Sequence, residues 1–411
     1  RGLTGNFDLM REMNTKLILR VIRRKSPISR SEIVEETNLT AATVSRITSR
    51  LLEYGLIQET GYGASQGGRK PILLELNLRS MLVLGIDIEI DEIIGVIIDL
   101  NGKVIHRKEV DNQHNTGQQH IINLVKDTID YLLKTKDYGV KIIGIGIGMH
   151  GLVDYFRGVS VFTPAFGWSN VPVAALIEEE FGIPVILENN VRALTLGEKW
   201  FGSALNFSNF ICIKVGEGIG SGIFTNGALY RGTSNSAGEI GHTTVDDDGG
   251  LCSCGNYGCL ESMASIPALI SRTRKTIKQG AESLIIKLVD GNLEAINAEI
   301  IFRAAREGDL IAQQLLRDTG RFLGIGIANT INMLNPEAVI IAGEITDGGE
   351  LVLDTIREVV DNRTLEYPLR HVKIIKSFLG RDGVAIGAGT LILQSLFQLG
   401  LDGSLKIDLN V

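Results

Sequence analysis

Four soft metal ligands crowd one stretch of this sequence: His242 is followed by Cys252, Cys254 and Cys259, one imidazole and three thiols within eighteen residues. That donor set suits tetrahedral Zn²⁺, which takes sulfur and nitrogen and is closed by four protein ligands in structural sites. With no coordination position left open, the zinc is expected to brace a loop rather than to catalyse. A lone Cys is commonly a small core residue, as Cys212 is expected to be in the apolar run Ile211–Val215, but four ligands in one loop are not explained that way. A second set consists of Asn189, Asn190, Glu239, His242 and Glu261. Carboxylates, amides and an imidazole are the groups that match vicinal hydroxyls on a sugar. Spacing alone does not bring 189 near 261, and surface polar groups are the competing reading at this level.

The elements that must position these groups read as α/β. An apolar hairpin is expected over Met81–Ile98, a further strand from Lys103, and a helix over His120–Lys134. Strand-like runs follow at Lys141–Gly148, Pro184–Leu187, Phe210–Val215 and Ala338–Ala342. Strands alternating with helices give the fold class. The three thiols and their crowding also speak for a reducing compartment rather than for disulfides.

The first 79 residues read differently. A helix is expected from about Asp8 to Arg24, with Leu9, Met13, Leu17 and Val21 on one face. Ser29-Arg30-Ser31-Glu32 forms a capping box that opens a second helix. Asn38-Leu39-Thr40 makes a turn, and a third helix runs from about Ala41 to Tyr54 with Val44, Ile47 and Leu51 inward and Thr43, Arg46 and Arg50 on another face. After Gly55 a strand, the glycine-rich stretch Gly61–Gly68 and the return at Ile72–Leu74 read as a β-wing carrying Arg69 and Lys70. Helix, turn, helix and wing together describe a DNA reader. The candidate DNA contacts are Ser29, Arg30, Thr40, Ala41, Thr43, Ser45, Arg46, Arg50, Arg69 and Lys70. A small helical packing domain with a glycine loop is the alternative.

Charge agrees with the first reading. The chain of 411 residues has a formal net charge of -7, yet residues 1–79 hold 13 Lys+Arg against 8 Asp+Glu. The basic surface is therefore confined to the first fifth of the chain. No apolar run approaches a membrane span and the start lacks the apolar stretch of a secretory signal, so a cytoplasmic protein is expected.

The segments Gly238–His242 (GEIGH) and Cys252–Glu261 (CSCGNYGCLE) resemble the signature of the ROK family, which holds bacterial sugar kinases and sugar-responsive repressors. Further similar segments are Gly146–Asp154, Thr163–Trp168, Glu188–Leu194, Gly216–Ile223 and Leu334–Glu344. The N-terminal region, through Ala42–Ile47 and Gly67–Pro71, resembles the repressor branch, with its regulators of the xylose, glucose and N-acetylglucosamine type. The resemblance implies a winged helix-turn-helix over 1–79 followed by a two-lobed actin-like ATPase (ROK sugar kinase) fold. One lobe is expected over 80–198, with 383–411 packing back on it, and the other over 199–382. It implies sugar contacts from Gly151, Asn189, Asn190, Glu239, His242 and Glu261, with His242 serving zinc as well.

Departures from the kinase pattern bear on activity. Where kinases have an Asp-x-Gly-Gly-Thr phosphate loop, this chain has Asp87-Ile88-Glu89-Ile90-Asp91; Glu217 replaces a Thr in the second phosphate loop, and Glu344 a glycine in the third pattern. Asn190 stands where kinases place the Asp that acts as general base, and Ala165 where an Asn sugar contact is usual. The expected protein is a repressor that binds operator DNA as a homodimer or dimer of dimers, senses a sugar, and neither uses ATP nor phosphorylates. A sugar kinase with an added DNA-binding module is the enzyme alternative, and docking on a membrane transporter is a third reading.

Overall fold

The structure, a computed structural model, describes residues 7–64, 70–112, 115–135 and 140–397, with side chains from residue 10 onward. Among these residues no helix is long and apolar enough to cross a membrane. Two compact units divide the chain: one runs to Asn190 and is rejoined from Ala385, the other spans Val191–Val384. The division thus falls after Asn190 and before Ala385, where the sequence reading put 198 and 383; residues 398–411 of the expected returning segment lie outside the described residues.

The first unit opens with α1 (Phe7–Lys25), β1 (Ile28–Ser29), α2 (Arg30–Thr37), α3 (Ala41–Glu53), β2 (Ile57–Tyr62) and β3 (Ile72–Leu76). The capping box forms: the Ser29 hydroxyl accepts from the Glu32 amide while the Glu32 carboxylate accepts from the Ser29 amide. Asn38 ends α2 in the left-handed region, and Thr40 caps α3 through the Thr43 amide. Val44, Ile47 and Leu51 are buried, as the spacing along α3 requires, and Ile33 is buried on α2. On α1 the deepest residues are Ile18, Leu19 and Ile22; of the expected face Val21 is buried, Met13 and Leu17 are half-buried, and the Leu9 side chain lies outside the described residues. The three strands pair as β1-β3-β2. Strand β1 was not expected, because two residues carry no periodicity; it forms where the chain leaving α1 lies beside Leu73 and Leu74.

The same unit continues with β4 (Met81–Ile88), β5 (Glu92–Ile98), β6 (Val104–Asp111), α4 (Gln118–Thr135), β7 (Lys141–Met149), β8 (Leu152–Asp154), β9 (Val159–Thr163), β10 (Trp168–Val171), α5 (Val173–Phe181) and β11 (Val185–Asn189). Its main sheet has the order β11-β7-β4-β5-β6, parallel from β11 to β4 and antiparallel from β4 to β6. Strands β4 and β7 are buried at nearly every position, which is why they read as unbroken apolar runs. Strands β8 to β10 form a small separate sheet.

Helix α6 (Asn190–Phe201) belongs to the second unit from Val191 onward. There Val191 packs over Gly220, and a Cβ on Gly222 would stand 2.0 Å from the Thr195 hydroxyl oxygen. That unit adds β12 (Phe210–Val215), β13 (Ile219–Thr225), β14 (Ala228–Tyr230), α7 (Leu260–Ala264), α8 (Ile266–Lys278), α9 (Leu284–Leu288), α10 (Ala298–Arg306), α11 (Leu310–Leu334), β15 (Ala338–Ala342), α12 (Glu350–Arg363), α13 (Glu366–Leu369) and β16 (Lys373–Lys376), and α14 (Gly383–Phe397) carries the chain back to the first. Its sheet order is β14-β13-β12-β15-β16, again an antiparallel hairpin joined to parallel strands. Both five-stranded sheets thus join an antiparallel hairpin to parallel strands.

Candidate functional site

His242 closes a short 3-10 turn, and Cys259 precedes α7. The intervening loop is stapled by the pairings Thr244↔Cys259 and Leu251↔Tyr257 and by a turn in which the Gly255 amide donates to the Cys252 carbonyl. This brings the ligand atoms of His242, Cys252, Cys254 and Cys259 within 4.8 Å of one another. A tetrahedral zinc with ordinary bond lengths separates two sulfurs by about 3.8 Å and a sulfur from a nitrogen by about 3.6 Å. The Cys254 and Cys259 sulfurs are 3.7 Å apart, and the Cys252 sulfur is 3.6 Å from His242 Nδ1. The cluster therefore fits a tetrahedral metal centre, with Nδ1 as the imidazole ligand. Burial and the neighbouring thiols hold the Cys259 thiol well above its usual range, a balance that a cation among the sulfurs reverses.

Beside the cluster, the Glu261 carboxylate accepts from the Ile219 amide at 3.0 Å and from the Ser253 hydroxyl at 3.4 Å. The metal loop thus helps to aim Glu261, a role for Ser253 that its sequence position did not signal. Glu239 is exposed and His242 half-buried. The second unit carries these three sugar candidates together with the metal cluster.

Gly151, Asn189 and Asn190 belong to the first unit. Ile88, Met149 and Asn189 pair in register across β4, β7 and β11, so all three strands end at one sheet edge. Crevices outside the carboxyl ends of parallel strands are the usual ligand sites of α/β sheets. Asn189 Nδ2 donates to the Gly151 carbonyl at 3.1 Å. Gly151 has φ +94°, and a Cβ there would stand 2.6 Å from the Phe162 carbonyl oxygen, so only glycine serves. Asn190 is 3% exposed and its Nδ2 donates to Glu89 Oε1 at 3.2 Å.

The positions that depart from the kinase pattern are also defined. Residues 89–92 make a tight hairpin turn, closed by the Glu89 amide on the Glu92 carbonyl and held by Asn112, which donates to the Ile90 and Asp91 carbonyls. Asp87 is buried at the end of β4. In the second unit, burial and then the charges of Glu217 and Asp347 hold the Glu344 carboxyl above its usual range, partly offset by Arg381 and Lys214. The charge of Glu217 is thus felt at Glu344.

On the helix-turn-helix region, Thr40, Ala41, Ser45 and Arg46 are exposed at and along α3, with Thr43 and Arg50 half-buried beside them. Ser29 is 2% exposed and its hydroxyl is engaged with Glu32, so it places α2 rather than reaching outward, which corrects its expected role as a contact. Arg30 is likewise tied inward, by Nε to the Thr48 hydroxyl and by an ion pair with Glu59. Lys70 is exposed at the wing, and Arg69 lies outside the described residues.

The ROK family pattern matches residues 83–395, and a winged helix-turn-helix DNA-binding pattern matches residues 14–58. The xylose repressor of Caldicellulosiruptor bescii is 36% identical over 395 residues, covering 96% of this chain and 98% of that protein. A solved ROK family transcriptional regulator, a homologue of the E. coli MLC protein, is 29% identical with a TM-score of 0.83, covering 95% of this chain and 97% of its own. A ROK family glucokinase from Streptomyces griseus, solved with glucose and AMPPNP, is 31% identical with a TM-score of 0.70 and covers 98% of its own length but 75% of this chain. With a family pattern spanning most of its length and a relative of this identity aligned nearly end to end, the chain belongs to the ROK family.

Proposed function

We propose that the protein is a sugar-responsive transcriptional repressor, whose winged helix-turn-helix binds operator DNA and whose kinase-like body senses a sugar. The observation that carries this reading is the exposed face of α3 in a chain similar along its whole length to a xylose repressor. Arg46 and Thr43 meet base edges, and Lys70 with Arg69 meets phosphate or the minor groove. Because one helix-turn-helix reads one half-site, the active species is a dimer on a two-fold symmetric operator, working in the cytoplasm. Its sugar contacts are Gly151, Asn189, Asn190, Glu239, His242 and Glu261. The metal is one structural Zn²⁺ per chain, and its part is to hold the loop that presents His242 and Glu261.

Likeness to a glucokinase favours the alternative of an active kinase. Against it stands the chemistry of this chain. A carboxamide at 190 has no basic lone pair, and loss of a general base costs on the order of 10²–10⁴ in rate. Glu89, Asp91, Glu217 and Glu344 add negative charge where a nucleotide needs amides and cations. An assay of ADP release with millimolar Mg-ATP across a panel of aldoses distinguishes the two. No sugar-dependent turnover is expected from the wild type or from Asn190→Asp; turnover near the ~10 s⁻¹ typical of enzymes would establish the kinase.

A further inference from the structure

Three thiols meet at the metal loop, and they are not equally accessible. Cys252 is 5% exposed and Cys259 0%, whereas Cys254 is exposed. The segment around it, Ser253–Tyr257, is exposed at every residue, and nothing lies within 4 Å of where a Cβ on Gly255 would stand. Cys259 is fixed from both sides, by its pairing with Thr244 and by the next residue, Leu260, which is buried against Gly326 of α11. The Cys254 and Cys259 sulfurs are 3.7 Å apart. One reachable thiol thus stands on an open turn beside an anchored, shielded one. Cys212 is fully buried in β12 and is not part of the cluster. Oxidation of cysteine follows thiolate character and access, and metal ligation keeps a sulfur in its thiolate form.

We propose that the loop is an oxidation site: a hydroperoxide oxidises Cys254, Cys259 resolves the product as a disulfide, and the loss of metal that follows releases the loop's hold on Glu261. This rests on the proposed zinc at these residues and on Glu261 as a sugar contact. The Cys254 thiolate takes one peroxide oxygen as the O–O bond breaks, giving a sulfenic acid and hydroxide. The Cys259 thiolate then attacks that sulfur; the S–S bond forms, and the S–O bond breaks to release a second hydroxide. Two thiolates give up two electrons and one peroxide accepts them. The sulfurs must close by about 1.7 Å to reach the roughly 2.05 Å of a disulfide, and the open turn supplies that movement because Cys259 is anchored. Only His242 and Cys252 then remain as ligands, too few for a closed tetrahedral site. Ser253, whose hydroxyl donates to Glu261 at 3.4 Å, moves with the turn. In a compartment that keeps thiols reduced, the change reverses once the oxidant is gone.

The test treats the reduced, zinc-loaded full chain with hydrogen peroxide in slight excess. A colorimetric chelator should report about one zinc released per chain. Peptide mass spectrometry should find a Cys254–Cys259 disulfide, and a dimedone trap should mark Cys254 as the first sulfur oxidised. Cys212→Ser should respond as wild type does. Cys254→Asp, whose carboxylate can ligate zinc but has no sulfur to oxidise, should keep its metal at the same dose. Calorimetry with D-xylose, D-glucose and N-acetyl-D-glucosamine should show the oxidised chain about tenfold or more weaker for the sugar that the reduced chain binds, as expected when a hydrogen bond to a charged group is lost. Dithiothreitol with zinc should restore that affinity. Zinc retained by the wild type, or a first label on Cys252 or Cys259, would overturn the oxidation site whatever the variants do. Oxidation that leaves sugar affinity unchanged would overturn the link to Glu261. A reduced chain that binds zinc but no sugar would instead overturn the sugar reading, with the zinc and mass results still deciding the oxidation site.

Discussion

Helix α14 is docked on the first unit's sheet so closely that a single methyl group should dislodge it. Gly85 and Gly146 pair with each other across β4 and β7. A Cβ on Gly146 would stand 1.8 Å from the Ala388 carbonyl oxygen, and one on Gly85 1.9 Å from that of Ala385. Both obstacles are helix backbone, which has no rotamer to retreat into. Carbon and oxygen meet comfortably at about 3.3 Å, so Gly146→Ala requires α14 to withdraw by about 1.5 Å. Overpacking of this kind costs about 1–3 kcal/mol, and a forced backbone shift belongs at the upper end. For a unit of this size a loss of about 3 kcal/mol lowers Tm by roughly 6–12 °C. The consequence extends to the DNA-binding region, because Phe397 at the end of α14 lies under the Arg23 guanidinium of α1, 5.6 Å from the ring centroid. Burial there pulls Arg23 down to about 10, so the contact is a desolvated one. Gly144→Ala is the milder comparison: the three atoms nearest its Cβ belong to the Ile392 side chain rather than to helix backbone, and about 1 kcal/mol is expected. Thermal melts and operator-binding anisotropy on the full chain read both effects. A Gly146→Ala protein that melts within 2 °C of wild type, or a Gly144→Ala protein equally damaged, would refute the rigid docking of α14.

Arg46→Ala should weaken binding to a selected operator by about 1–3 kcal/mol and relax base preference at one position of each half-site, measured by anisotropy against single-base operator variants. Cys254→Ser should lower bound zinc from one per chain and weaken sugar affinity with it, read by metal analysis beside calorimetry; full sugar affinity in a metal-free protein would contradict the bracing role. Glu198 is fully buried, accepting from the Ser377 hydroxyl and from the Ser203 amide at 2.6 Å, and burial raises its pKa. Its contribution is complete below the unfolded carboxylate pKa and is lost as pH rises through the folded one. Glu198→Gln forfeits the Ser203 bond, about 1 kcal/mol, but cannot ionise, so in urea titrations its deficit should shrink between pH 5 and pH 8.

Legibility in the sequence followed the range of the interactions. The capping box at Ser29–Glu32, the inward face of α3 and the four candidate metal ligands are written within a few residues or one loop, and the structure brings each together. Cys212 is a fully buried strand residue, as its apolar run suggested. Strand β1 and the small sheet of β8 to β10 were missed because two-to-five-residue strands hold no period, and they exist only through their neighbours. The Glu89–Asn190 bond joins residues far apart in sequence, and the inward tether of Arg30 depends on Thr48 and Glu59 from other elements. Helix α14 carried no amphipathic signal, since Ala385–Leu393 is buried on every side.

The central claim is that one chain couples operator DNA to a sugar, and an equilibrium titration tests it most directly. Operator sequences are first selected from random DNA with the full chain, and the preformed complex is then titrated with D-xylose and the other neutral aldoses at fixed salt. A two-fold symmetric operator should emerge, with at least one sugar lowering its affinity by about 5–150-fold and binding the DNA-bound protein more weakly by the same factor. An operator affinity that no sugar changes, or a chain that selects no DNA sequence, would contradict the account.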